Sequence, residues 1–177
     1  MTQTDIKSSN PSPFWTFSLS LYGKPGVPDA CLTLQDGSGV DVNLVLFSLY
    51  LGRTGRKLSS ADIGTIARTT EPWRAGIVVS LRAARRALKE PPHPFDGPLA
   101  DALRKSIKSS ELEAERIQQE VLFVTFPGAS IGVAEPDLAK ACAENLEAYR
   151  AYLRTSFNEA AVATLLTQAE TITATKG

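Results

Sequence analysis

The chain reads as a single all-α domain, an irregular bundle of about six to eight helices. Three observations predict this: apolar residues make up 43% of the 177 positions, β-branched runs are few, and apolar residues recur at helical spacing in several long segments. A chain of this length buries a real core without metal or disulfide staples. The expected layout is an N-terminal tail over 1–11, a helical domain over 12–172 and a C-terminal tail over 173–177.

The first helix begins at Ser12-Pro13, because serine caps free amides and proline is tolerated in the first turn. Phe14, Trp15, Phe17, Leu19 and Leu21 give it an aromatic anchor, and Gly23, Pro25 and Gly26 end it. A short helix follows over 28–35, and Asp36-Gly-Ser-Gly39 reads as a turn. The third helix runs from Asp41, its cap, to Leu51, with Gly52 as its stop. Val40, Val42, Leu44, Val45, Leu46, Phe47, Leu49, Tyr50 and Leu51 make it apolar on nearly every side, which predicts the centre of the fold. A buried strand is the competing reading.

Ser59 or Ser60 caps a short helix to Arg68, and Thr70-Glu-Pro72 starts a longer one to Lys89. On it Trp73, Ile77, Leu81, Ala84 and Leu88 share one face, while Arg74, Arg82, Arg85, Arg86 and Lys89 fall on another. Four prolines between Pro91 and Pro98 form an extended connector. Beyond it, Leu99, Leu103, Ile107, Ser110, Ala114, Ile117, Val121 and Val124 make a heptad-like seam. Ser110 and Glu113 also form a possible capping box, so the seam is either one helix or two meeting near Ser109. The Trp73 and Leu99 helices are expected to pack around the central one. A helix over 136–154 follows, and Ser156 with Glu159 introduces the last.

Charge sums to zero but is unevenly spread: residues 1–52 carry −2, 53–89 carry +7, and 90–177 carry −5. Cys31 and Cys142 lie in apolar stretches without CxxC spacing, so both read as buried, reduced thiols. The single histidine, His93, sits among prolines; it rules out multi-histidine metal sites, and no serine has a nucleophile-elbow context. No secretory leader and no membrane-length apolar run is legible, so the expected compartment is the cytoplasm. No cofactor is expected.

Two groups of residues carry candidate function. The turn at Gln35, Asp36, Asp41 and Asn43 joins carboxylates, amides and two glycines at a helix junction, where helix capping is the simpler role. Arg74, Arg82, Arg85 and Arg86 form the basic face, suited either to an acidic protein or anionic ligand or to the chain's own acidic helix at 111–120. The leading expectation is a non-enzymatic interaction or regulatory protein presenting this face. The alternative is a metal-binding protein or enzyme with a divalent ion on Asp36, Asp41, Glu111 and Glu115, although the Glu-x-x-His signature of such bundles is missing. Nucleic acid ranks third, given the neutral total.

The blocks Phe14-Trp-Thr-Phe-Ser-Leu-Ser-Leu-Tyr22, Pro25-Gly-Val27, Ala30-Cys-Leu-Thr-Leu-Gln-Asp36, Gly39-Val-Asp-Val-Asn-Leu44, Pro72-Trp-Arg74 and Glu111-Leu-Glu-Ala-Glu-Arg116 together resemble a family of small bacterial proteins of unknown function. The resemblance spans roughly residues 13 to 155. It implies a helical, intracellular bacterial protein and carries over no catalytic residue.

Overall fold

In the computed structural model, which describes residues 11–174, nearly every ordered element is helical. The expected tails over 1–11 and 173–177 lie outside the described residues, apart from Pro11, Thr173 and Ala174. Eight α-helices follow in order: α1 (Pro13–Tyr22), α2 (Val27–Ser38), α3 (Val42–Arg53), α4 (Ser60–Trp73), α5 (Val79–Ala87), α6 (Pro98–Thr125), α7 (Leu138–Leu153) and α8 (Glu159–Glu170). Two short strands, β1 (Arg56–Lys57) and β2 (Val133–Ala134), pair antiparallel, with Arg56 opposite Ala134 and Lys57 opposite Val133. The chain divides into two compact units, one of residues up to 67 and from 119 onward, the other of residues 68–118.

The first unit is built on α3, in which every residue from Asn43 to Gly52 is buried. The helix reading of this apolar run holds and the strand alternative fails. Asp41 caps it as expected, its carboxylate accepting the Asn43 amide (2.9 Å). Phe14 and Phe17 of α1 pack their rings at steep angles against Phe47 and Tyr50, with ring centroids 4.9 Å apart for Phe14–Phe47 and 5.6 Å for Phe17–Tyr50. Phe123 and Phe126, near the end of α6, close the same cluster against Tyr50 and Phe47.

Gly52 does not terminate α3. The helix runs on to Arg53 and is capped by Thr54, while Gly52 lies where α7 crosses. A Cβ built there would meet Cys142 Sγ at 2.7 Å and its Cα and N at 2.8 Å, so glycine serves close backbone approach. Beside it, fully buried Asn145 of α7 accepts the Leu58 amide (2.6 Å) and donates to the carbonyls of Ser48 and Arg56 (2.9 Å each). One side chain thus supplies partners to three backbone groups where the chain turns from α3 into β1.

Other boundaries differ from the expected ones. Helix α2 absorbs Asp36, Gly37 and Ser38 and ends at Gly39, whose left-handed φ of 65° and amide bond to Gln35 O form the C-cap. Asp36 is therefore a helical residue and not a cap. Ser59 caps α4 in a reciprocal pair with Asp62. No break follows at Arg68, because Pro72 is accommodated inside α4 by a π-helical turn, Arg74–Val78, closed by the Val79 amide donating to Arg74 O five residues back. Helix α6 is continuous, and Ser110 Oγ bonds back to Ser106 O (3.1 Å) instead of capping a new helix. The last helix is capped by Asn158, not Ser156.

Both periodic faces in the second unit are also shifted. On α6 only Ala114 of the predicted seam is buried; Glu111, Ala114, Gln118, Gln119 and Leu122 are the inward positions. Of the predicted stripe, Trp73 and Ile77 are exposed, and Val78 is the buried residue instead. The extra residue of the π turn rotates everything beyond it out of the simple helical phase.

Two substitutions test the α3–α7 contact by urea unfolding. Gly52→Ala forces a methyl into Cys142 and is expected to destabilise by about 1–3 kcal/mol despite the better helix propensity of alanine. Asn145→Ala removes the side-chain partner of three backbone groups, two of them in buried bonds, and is expected to cost about 2–4 kcal/mol, with no gain in any other helix contact.

Candidate functional site

The basic face of the α4–α5 run meets the acidic segment of α6 within the second unit. Arg82 Nε donates to Glu111 Oε1 (3.0 Å) and Arg82 Nη2 to Glu115 Oε1 (2.7 Å). Arg85 Nε donates to Glu111 Oε2 (2.5 Å), and its Nη2 reaches Glu111 Oε1 at 3.3 Å. Two guanidinium groups thus grip one carboxylate from both oxygens, the strongest geometry available to such pairs. Trp73 Nε1 donates to Ala114 O (3.0 Å) one turn away. Arg74 is engaged with Glu71 on its own helix (3.2 Å), and Arg86 is exposed.

Glu111 is buried, whereas its arginine partners retain about a quarter of their side-chain exposure. Burial alone would raise the Glu111 carboxyl; hydrogen bonds from Arg85 and Arg82, with their charges, outweigh it and hold the group below the usual carboxylate value. The same contact pushes the Arg85 guanidinium further up. At neutral pH the cluster is a closed set of fixed charges with no proton to exchange. It joins helices, and it also explains how a polar residue comes to occupy the inward face of α6.

The turn residues are dispersed in role. Gln35 is half-buried and donates to exposed Asp36 at 3.4 Å. Asp41 is committed to the α3 cap, and its amide donates to Tyr149 Oη (2.9 Å). Asn43 is buried and accepts a bond from Gln119 Nε2 (2.8 Å). Among the described residues no group of three or more His, Cys, Asp or Glu side chains is placed to hold a metal ion. The divalent-ion reading of Asp36, Asp41, Glu111 and Glu115 is corrected accordingly: Glu111 and Glu115 are taken by arginine, and Asp41 by a helix cap.

Nucleophile chemistry finds no support in the thiols. Burial pushes Cys31 up to about 12 and Cys142 up to about 11, so both are protonated at neutral pH. His93 is exposed in the connector, 3.2 Å from Asp96. No described helix is long and apolar enough to cross a membrane.

What periodicity did not reveal is the outer surface of the second unit. Leu99 and Leu103, assigned to a seam, are 88% and 52% exposed, and Phe95 in the proline connector is 73% exposed. Lys89, Arg104, Lys105 and Lys108 lie in the same stretch and form no ion pair among the described residues. The signal available in the sequence was Phe95, an aromatic residue set in a proline-rich loop that has no core to enter.

The Glu111 cluster makes stability pH-dependent in one direction. A carboxyl held below its unfolded value of 4.5 contributes fully above that pH and loses its contribution as pH falls through the folded value. Thermal melts are therefore expected to lose stability below about pH 4.5. In Glu111→Gln, which leaves two arginines without their carboxylate, stability at pH 7 drops by about 1–3 kcal/mol and the acid slope flattens. An unchanged slope would remove Glu111 from the explanation.

No curated protein and no solved structure matches this chain. A family model described as "Protein of unknown function (DUF2390)" matches residues 13–122, which takes in every block quoted above, though it stops short of residue 155. Since that match spans more than half of the sequence, the chain belongs to the DUF2390 family.

Proposed function

We propose that this is a non-enzymatic interaction protein whose contact element is the helical segment 68–118, and that its partner is a protein with an apolar helix face and an acidic rim. One observation carries the reading: among the described residues, seven of the twelve large apolar side chains left exposed lie in this short segment, Trp73, Phe95, Leu99 and Leu103 among them. Exposed apolar groups concentrated in one region mark interaction surfaces far better than single ones do. Lys89, Lys105 and Lys108 in the same stretch, which form no ion pair among the described residues, supply the charge that an acidic rim would complement.

This moves the contact from the expected arginine face to the apolar residues beside it. Arg82 and Arg85 have an internal carboxylate, so an external anion would have to displace Glu111 and leave it buried without its partners. Arg74 and Arg86, with Gln35 and Asp36, stay in the proposal only as rim positions. We further take residues 12–172 as one functional domain and the cytoplasm of a bacterium as its setting.

The test places a photo-crosslinking residue at Leu103 in the full chain, identifies the adduct in cells, and titrates that protein in purified form. Binding is expected to weaken at least tenfold in Leu99→Asp/Leu103→Asp and several-fold in Lys105→Glu/Lys108→Glu. Equal binding by the wild type and the leucine variant would overturn the proposal, as would turnover of a small molecule by the purified protein.

A further inference from the structure

Within the first unit a cleft of about 440 Å³ opens beside the end of α3 and the start of α7. Its volume falls in the range of small-molecule sites. Arg53, Thr54 and Gly55 at the end of α3 line it together with Ala134, Glu135, Pro136 and Leu138 ahead of and at the start of α7, and with Ala174. Neither the arginine cluster nor the exposed leucines of the second unit contributes to it.

The polar groups of this cleft are unequal. Thr54 Oγ1 is spent on Leu51 O (2.9 Å). Glu135 is held on both oxygens, by Lys140 Nζ (2.8 Å) and by the Asp137 amide (3.2 Å), and its carboxyl stays below the usual carboxylate range because of these two donors. Its own amide donates to Gly55 O (3.0 Å), which ties the two segments together. Arg53 differs. Its Nε donates to Ile172 O (3.3 Å), and among the described residues no acceptor meets its terminal nitrogens. A guanidinium whose outer fork carries no acceptor presents the donor pattern that a carboxylate matches with two parallel bonds.

From this geometry we infer that the Arg53 cleft binds a small aliphatic monocarboxylate, its carboxylate on the Arg53 fork and its hydrocarbon body against Pro136, Leu138 and Ala134. The ionised Glu135 in the same lining sets the charge limit. A second negative charge on the ligand, as on phosphate or a dicarboxylate, would meet this carboxylate within the cleft, whereas a single charge is satisfied by Arg53 alone. The apolar lining sets the body as hydrocarbon without further polar groups.

Amide-resolved NMR titration of the full chain tests this with three probes, 3-methylbutanoate, 3-methylbutan-1-ol and inorganic phosphate. The carboxylate is expected to give saturable shifts at Gly55, Glu135 and Leu138, the alcohol to bind at least tenfold more weakly, and phosphate to leave those amides in place. Arg53→Gln should weaken the carboxylate at least tenfold. Because that change also touches the Ile172 contact, Ala134→Trp gives a second reading: it fills the cleft from an exposed strand position, leaves Arg53 intact, and should abolish the shifts. No saturable shift in the wild type, equal affinity in Arg53→Gln, or phosphate binding as well as the carboxylate would each overturn the inference.

Discussion

Helices α3 and α7 approach until the backbone of one lies against a cysteine of the other, and the rest of the first unit is arranged around that contact. It requires a residue without a side chain at Gly52, because any Cβ would fall within 3 Å of Cys142. Such proximity buries α3 from Asn43 to Gly52, including polar Asn43 and Ser48, and it places Asn145 where it can serve the backbone on both sides of the α3–β1 corner. The aromatic cluster of Phe14, Phe17, Phe47 and Tyr50 covers the other flank of α3. Hydrophobic burial supplies most of the driving force here, and the Asn145 bonds select one arrangement among many that would bury the same area.

The second unit works on a different principle. Between Arg68 and Gln118 its buried residues are few and several are polar, and its inner contact is an ion cluster on Glu111. A charged contact of this kind contributes little net stability after desolvation, yet it is intolerant of misalignment, since each donor must find its oxygen. The π turn after Pro72 sets the rotation of α5, so that Arg82 and Arg85, not Ile77, meet α6. Apolar side chains of this unit, Phe95, Leu99 and Leu103 among them, are left outside.

Membership of a family without a known activity leaves function to be argued from surfaces. The two surfaces differ in kind: one is a set of exposed apolar side chains in a segment that also carries lysines, the other a cleft with a single guanidinium fork. They lie in different units and use no residue in common, so each stands or falls by itself.

Much of the architecture was legible in local residue pattern. The all-α class, the central place of Val42–Leu51, the Asp41 cap, the proline connector and the inert buried cysteines follow from properties that a few neighbouring residues decide among themselves. Other features depend on partners distant in sequence. Gly52 looks like a helix stop until Cys142 is beside it, and Pro72 looks like a helix start until a π turn absorbs it. The acidic run at 111–115 suits either a metal ion or the chain's own basic face by sequence, and only packing shows that Arg82 and Arg85, some thirty residues earlier, claim it. Composition and spacing determined which segments become helices; only tertiary packing decided which face of each turned inward, because a buried charge with two good partners can take a position that periodicity reserves for leucine.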